Sequence, residues 1–466
     1  MQNINYNSLN NSKDLDLLLD RIGNSQYVLL GEASHGTSEF YKWRSEISKR
    51  LILEKGFSFI AVEGDWPDCF KVNRYIKCYP NSGKNAYNVL HSFNRWPTWM
   101  WANKEMVDLI EWLKEYNDTI INQQKLSTTI DKTIGFYGLD LYSLWESMES
   151  IIEYLKKVDA STLKQTIDAY NCFEPYNKNA EAYARKTAFV PENCEEEVIE
   201  ILTLLKSKYN LSMKIDDLNK EEYFDAEQNA IVAQDAEKYY RTMIKGDVNS
   251  WNLRDIHMMN TLERLMDFYS QNNGNSKSKA VIWAHNTHIG DAQFTDMVKE
   301  GMINLGQLVR KKKGIDNTIL VGFSTYTGTV IAANQWGARM EKMDIPPARE
   351  GSWDSLLHLL DNKSNDGNEI TKDKLIILSH KNNKNRPILE NKQIDTIDTE
   401  RYEIKGQRAI GVVYNPKYEK YGNYVPTILS ERYDALLFID KTNALSPLHI
   451  QSTNDKDYPE TFPTGE

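Results

Sequence analysis

The sequence predicts an α/β protein: a mostly parallel central sheet flanked by helices, with a large helical insertion covering the active-site edge. Three observations lead there. Short apolar runs recur and end abruptly in an acid or a histidine, the form of strands buried on both faces. Stretches of helical period lie between them, which makes βαβ units. A segment from about 144 to 270 has little strand signal, with acids and lysines at its outward positions. The 466 residues are therefore read as one α/β domain over 1–450, the helical insertion at 144–270 within it, and a polar tail at 451–466.

The first strand is Tyr27, Val28, Leu29 and Leu30. Gly31, Glu32, Ala33, Ser34, His35 and Gly36 follow at once, and Thr37 or Ser38 caps the next helix, whose positive first turn suits Glu39. Phe40, Trp43, Ile47 and Leu51 give that helix its apolar stripe, and Gly56 ends it. Arg44 falls on the same stripe. Either its stem snorkels over the core, or its guanidinium is buried and needs a carboxylate, for which Glu32 and Glu63 are nearest in the chain. Residues 57–62 form the next strand, which ends in Glu63, Gly64 and Asp65, and Asp65 with Pro67 starts a helix. Two successive strands thus deliver an acid at their exits, where ligands of open α/β sheets bind.

Residues 94–101 hold Trp96, Trp99 and Trp101, either a structural aromatic cluster or the wall of an apolar cleft. A helix is expected over 105–116 and a strand over 134–140, again with an acid, Asp140, at its exit. Within the insertion, 190–194 and 211–221 are the expected loops. Near its end Arg254, Asp255 and His257 fall within four positions, as a binding set or a salt-bridged helix surface. A polar linker over 272–279 leads to a strand at 280–284, which runs into His285 and His288. Further strands are expected at 318–325, 374–378, 408–414 and 434–440.

Composition narrows the function. Hydrophobic residues at 41% and charged residues at 26% are the usage of a globular protein. A net charge of −10 argues against nucleic acid as partner. No apolar run reaches membrane-spanning length, so no membrane partner is expected. The first twenty residues lack a basic-then-apolar signal pattern, which favours the cytoplasm. Cys69, Cys78, Cys172 and Cys194 form no Cys-x-x-Cys pair and indicate neither a disulfide framework nor a zinc knuckle. Arg310 and the three lysines after it suit the negative end of a helix.

Three chemistries use these residues. A serine nucleophile elbow needs Gly-x-Ser-x-Gly, which neither Ser34 nor Ser324 satisfies. His35, His285, His288 and Glu63 are suitable ligands for a divalent metal such as zinc, as an alternative reading. The third needs no cofactor: a neutral histidine beside a carboxylate takes a proton from water, and a second histidine or Arg44 holds the oxyanion.

The run from Gly31 to Phe40, then Arg44, the Glu63–Gly64–Asp65 exit and the His285/His288 pair together resemble the erythromycin esterase family. The segments 95–101, 251–255 and 408–414 are similar to its broader pattern. The resemblance implies an α/β core with a helical part over a deep cleft. It implies a hydrolase of carboxylic esters or lactones, with inactivation of macrolide antibiotics as one form of that activity. His35 matches the family's general base for water, surrounded by Glu32, Arg44, Glu63, His285 and His288. Substrate contacts are expected from Trp96, Trp99, Trp101, Arg254 and Asp255, with a small-molecule ester or lactone as partner. Macrolide-inactivating members carry a bulky residue after the motif histidine, where this chain has Gly36 and Thr37. The other reading is a non-catalytic binder of an apolar small molecule, walled by the tryptophans.

Overall fold

The computed structural model describes residues 6–124, 132–189, 193–209, 217–243, 248–272, 277–360, 372–378 and 403–449. Its strands are β1 (Tyr6–Ser8), β2 (Tyr27–Leu30), β3 (Phe59–Asp65), β4 (Gly135–Asp140), β5 (Ala280–Trp283), β6 (Thr318–Ala332), β7 (Glu341–Ile345), β8 (Lys374–Ile377), β9 (Lys405–Arg408), β10 (Tyr424–Thr427) and β11 (Ala435–Thr442). Nine of them make one sheet in the order β1-β8-β11-β6-β2-β5-β3-β4, with β7 paired to β6. From β11 to β4 neighbours run parallel. β8, β1 and β7 are antiparallel additions, and β9 with β10 forms a separate ribbon.

β2 lies mid-sheet between β5 and β6, and all four of its side chains are buried. That is why it is apolar throughout rather than alternating. Leu30 and Val62 are both in register with Trp283. The chain that leaves β2, β3 and β5 therefore emerges side by side at one rim of the sheet. This register brings the segments after residues 30, 62 and 283 together although they are far apart in sequence.

The helix Ser38–Lys55 packs Phe40, Ile47 and Leu51 into the core and ends at Gly56, whose φ of 68° is the left-handed conformation glycine tolerates. The described residues from Leu144 to Asn272 are built mainly of helices: Leu144–Val158, Ala160–Tyr170, Ala180–Phe189, Glu195–Tyr209, Asp217–Met243 and Val248–Asn272. They share an apolar core of their own, with Leu144, Ile151, Ile201 and Tyr240 inside. Polar contacts tie this layer to the helix Trp66–Ile76. Trp66 Nε1 donates to Asp225 (2.8 Å), Asn73 Nδ2 to Glu221 (2.9 Å) and Arg74 to Glu222 (2.5 Å). Burial pushes the Asp225 carboxyl up to about 7.

Several expectations are corrected. Asp217 to Glu221 is the first part of a helix, not a loop, because Glu221 is needed on a helix face to meet Lys77 at 2.7 Å. The rest of that predicted loop, 211–216, lies outside the described residues, as do 190–192, 273–276 and the tail. The run 408–414 is not a continuous strand. Ile410 instead bridges Ser34, and Ala333 bridges Val413, so this segment braces the loop that carries His35. Cys172 and Cys194 form a disulfide (Cα–Cα 5.9 Å), which no spacing motif announced, while Cys69 and Cys78 are free. The strands β1, β7 and β10 were not foreseen; each is short, at an edge or in the ribbon. No helix among the described residues is long and apolar enough to cross a membrane.

Gly36 shows how tightly the loop is held. Its carbonyl accepts from Ile331 N (3.0 Å) and Leu445 N (2.9 Å), and a Cβ added there would lie 1.8 Å from the Ile331 carbonyl oxygen. Gly36→Ala is therefore expected to lower unfolding free energy by roughly 1–3 kcal/mol, read by urea denaturation. An unchanged midpoint would show that the loop can move away from β6.

Candidate active site

His35 sits on the loop after β2, buried, with one face on a cleft. Its Nδ1 lies 2.9 Å from Glu32 Oε1, and Arg44 Nη2 donates to Glu32 Oε2 at 2.7 Å. Glu32 and Arg44 are almost fully buried. The Arg44 guanidinium also lies over the rings of Tyr41 (4.4 Å) and Trp283 (4.6 Å). The snorkelling alternative for Arg44 is thus excluded. A carboxylate on Nδ1 places the ring proton there and leaves Nε2 as the proton-accepting nitrogen.

Glu63 holds the second half. Its Oε2 accepts from the His285 backbone N–H (2.8 Å) and its Oε1 from Arg254 Nη2 (2.6 Å). Burial opposes charge on Glu63, but His288, Arg254 and His35 outweigh it and hold the carboxyl well below the usual range. Arg254 also donates through Nε and Nη2 to both oxygens of Asp140, at 3.0 and 2.7 Å. His288 Nδ1 lies 3.0 Å from each Asp255 oxygen. Burial works against charge on His288, yet Asp255 and Glu63 prevail and raise its pKa. Arg254, whose Nη1 lies 3.0 Å from Nε2, opposes them with its positive charge.

The His285 ring is 4.9 Å from that of His35, centre to centre. Its Nδ1 lies 2.8 Å from Thr287 Oγ1, and the Thr287 backbone N–H also points at it (3.3 Å), so Nδ1 is assigned as the acceptor and the proton to Nε2. That buried Nε2 has no hydrogen-bond partner among the described residues. Burial, then the neighbouring His35, push the His285 pKa well down. His285 is a neutral N–H donor beside His35.

The cleft encloses about 690 Å³, open solvent included. Of the residues singled out in the sequence, His35, Glu63, Trp96, Trp101 and Arg254 line it. Glu32, Arg44, His285, His288 and Asp255 stand behind them. Asp255 is fully buried and holds His288 and the Leu305 backbone N–H (2.7 Å), so it is placed as a support and not as a substrate contact. Trp99 likewise packs edge-on against Trp96 (5.5 Å) away from the lining. The aromatic segment serves both readings: Trp101 Nε1 donates to the Glu63 carbonyl (3.2 Å), while its ring and Trp96 form a wall with Phe93, Met100 and Trp336. Asp65, Arg95, Asp140 and Tyr142 also line the cleft and were not assigned from sequence, although Asp65 and Asp140 stood at strand exits. His257 faces Asp235 (2.6 Å), outside the cleft.

Two of the four donors named for a metal are engaged by protein groups. Glu63 and His288 are bound to Arg254 and Asp255, and among the described residues no three His, Cys, Asp or Glu side chains are arranged to hold a metal ion.

A profile of the erythromycin esterase family matches residues 52–442. The chain belongs to the erythromycin esterase family. It is 21% identical to the erythromycin esterase type II of Escherichia coli over 365 residues, 73% of this chain and 80% of that one. Three solved structures share the fold. One, described as a succinoglycan biosynthesis protein, has a TM-score of 0.68 at 22% identity, covering 95% of each chain. A Bacillus cereus protein gives 0.70 at 19%, covering 95% of this chain and 96% of its own. An erythromycin esterase EreC mutant in its open conformation gives 0.62 at 14%, covering 94% and 98%. Membership in an esterase family supports hydrolysis of ester bonds. In this erythromycin esterase family chain, His35, Glu32 and the buried Arg44 guanidinium form one connected unit. Removing one member of a buried pair strands the other charge. Arg44→Ala is expected to cost about 3–5 kcal/mol of stability in denaturant unfolding; a loss under about 1 kcal/mol would show that Glu32 finds another partner or is not charged.

Proposed function

We propose that this protein hydrolyses a carboxylic ester or lactone with water activated by His35 and without a resident metal. The observation that carries this is the pair of opposed imidazoles: His35 with an acceptor nitrogen on the cleft, and His285 with an unpaired Nε2–H beside it. His35 Nε2 takes a proton from water as the water oxygen bonds to the carbonyl carbon. The carbonyl oxygen becomes an oxyanion, and the donor assigned to it is the His285 N–H, which lies beside the His35 ring and behind the residues that line the cleft. Glu32 stabilises the imidazolium that forms, and Arg44 holds Glu32 in place. Glu63 and Arg254 hold the His285 backbone and the cleft floor. The aromatic wall suits an apolar substrate, and a macrolide lactone is one molecule of that kind.

His35→Asn is expected to lower kcat for ester turnover by roughly 10²- to 10⁴-fold with the melting temperature little changed. His285→Ala is expected to cost roughly 10²- to 10³-fold in kcat, as loss of one oxyanion donor does. Exhaustive chelation should leave the rate unaltered. Incubation with a macrolide, followed by mass spectrometry, is expected to show a mass gain of one water. Full turnover by the His35 variant removes His35 from the chemistry. Binding without turnover of any ester by the native protein favours the non-catalytic reading, and loss of activity on chelation favours the metal one.

A further inference from the structure

Four carboxylates line the cleft: Glu63, Asp65, Asp68 and Asp140. Each meets a cation, and they differ in how they are held. Glu63 and Asp140 each use both oxygens, chiefly on Arg254. Asp68 pairs with Lys71 at the surface. Asp65 differs. It is the N-cap residue of the helix Trp66–Ile76, a position where an aspartate ordinarily accepts a backbone N–H of the first turn. It makes no such bond. Its carboxyl turns instead to the cleft, where Arg95 Nε meets Oδ2 at 3.2 Å. It lies two residues beyond Glu63, past an irregularity in the β3–β4 register, and opposite Asp140 of β4.

Resting on the hydrolytic reading above, we propose that Asp65 is the general acid of the reaction and gives its carboxyl proton to the alcohol oxygen as that oxygen leaves. The steps balance. The bond from carbonyl carbon to leaving oxygen breaks, its electron pair goes to that oxygen, and the O–H proton of Asp65 neutralises it. The proton that His35 took from water returns through solvent to the Asp65 carboxylate. Ester and water become acid and alcohol, with both side chains restored.

The surroundings keep the proton on Asp65. Burial is the largest influence, and Arg95 pulls against it. Asp140 from β4, Asp68 from the following helix and Glu146 from the helix Leu144–Val158 add to burial. Together they push the carboxyl up to about 8. Asp65 is therefore a protonated acid at neutral pH, and it loses that proton as pH rises past 8. Arg95 also lies over the Tyr142 ring (5.2 Å), which holds the guanidinium beside Asp65.

The test compares two esters of one acyl group, an alkyl ester whose alcohol needs a proton to leave and a nitrophenyl ester that does not. In Asp65→Asn, kcat for the alkyl ester is expected to fall roughly 10²- to 10⁴-fold, and that for the nitrophenyl ester by less than about threefold, with Asp65→Glu recovering part of the loss. In the wild-type protein, alkyl-ester kcat should decline above pH 8 while nitrophenyl-ester kcat does not. This profile decides the matter even where the variant fails to fold. An equal loss on both esters, no loss on either, or one common pH profile overturns the role of Asp65. Failure of the wild-type protein to hydrolyse the nitrophenyl ester, or its full hydrolysis by His35→Asn, overturns the parent reading instead.

Discussion

The structure depends on one buried carboxylate shared between two partners. Glu32 leaves β2 at the centre of the sheet and binds Arg44 with one oxygen and His35 with the other. Burying a carboxylate alone is prohibitive, and a guanidinium alone is nearly as bad. Each is tolerable because the other is present, and because Tyr41 and Trp283 face the guanidinium. The arrangement does more than cancel charge. It also places the proton of the His35 ring on Nδ1, which leaves Nε2 with the lone pair.

A second network joins the sheet to the helical layer. Arg254, on the helix Val248–Asn272, reaches Glu63 at the end of β3, Asp140 at the end of β4 and His288 after β5. Three strand exits are thus tied to one side chain from the insertion. The cleft is formed as the two parts of the chain meet, and its aromatic wall adjoins the charged residues through the Trp101 bond to the Glu63 carbonyl. Such networks hold position well when every member is satisfied and poorly when one is missing. That is why Asp255, though remote from the cleft, belongs with this machinery: it orients His288, which in turn faces Glu63 and Arg254.

Much of this was legible in the amino-acid order. Tyr27–Leu30 and Ala280–Trp283 are apolar because both faces are covered, and a polar residue straight after such a run has to emerge at the rim. The place of Arg44 on an apolar helix stripe left burial as one of two readings, and the structure selects it. What stayed hidden was pairing across long separations. Asp140 and Arg254 are far apart in the chain, and nothing local tells an acid at a strand exit from an ordinary helix cap. Asp65 looked like a cap for that reason, yet its side chain makes no cap bond. The segment after Arg408 misled for a related reason: its apolar residues are buried against the His35 loop by isolated bridges, not by a continuous ladder. The disulfide between Cys172 and Cys194 depends on the packing of helices within the insertion, which composition does not encode.

The account turns on the opposed tautomers of two neighbouring histidines. Nitrogen-15 labelling of histidine, with spectra assigned by comparison with the His35 and His285 variants, reads the protonation of each ring nitrogen directly at mildly alkaline pH. The expected result is a proton on Nδ1 of His35 and on Nε2 of His285. A proton on Nε2 of His35, or on Nδ1 of His285, would contradict the assignment of base and oxyanion donor.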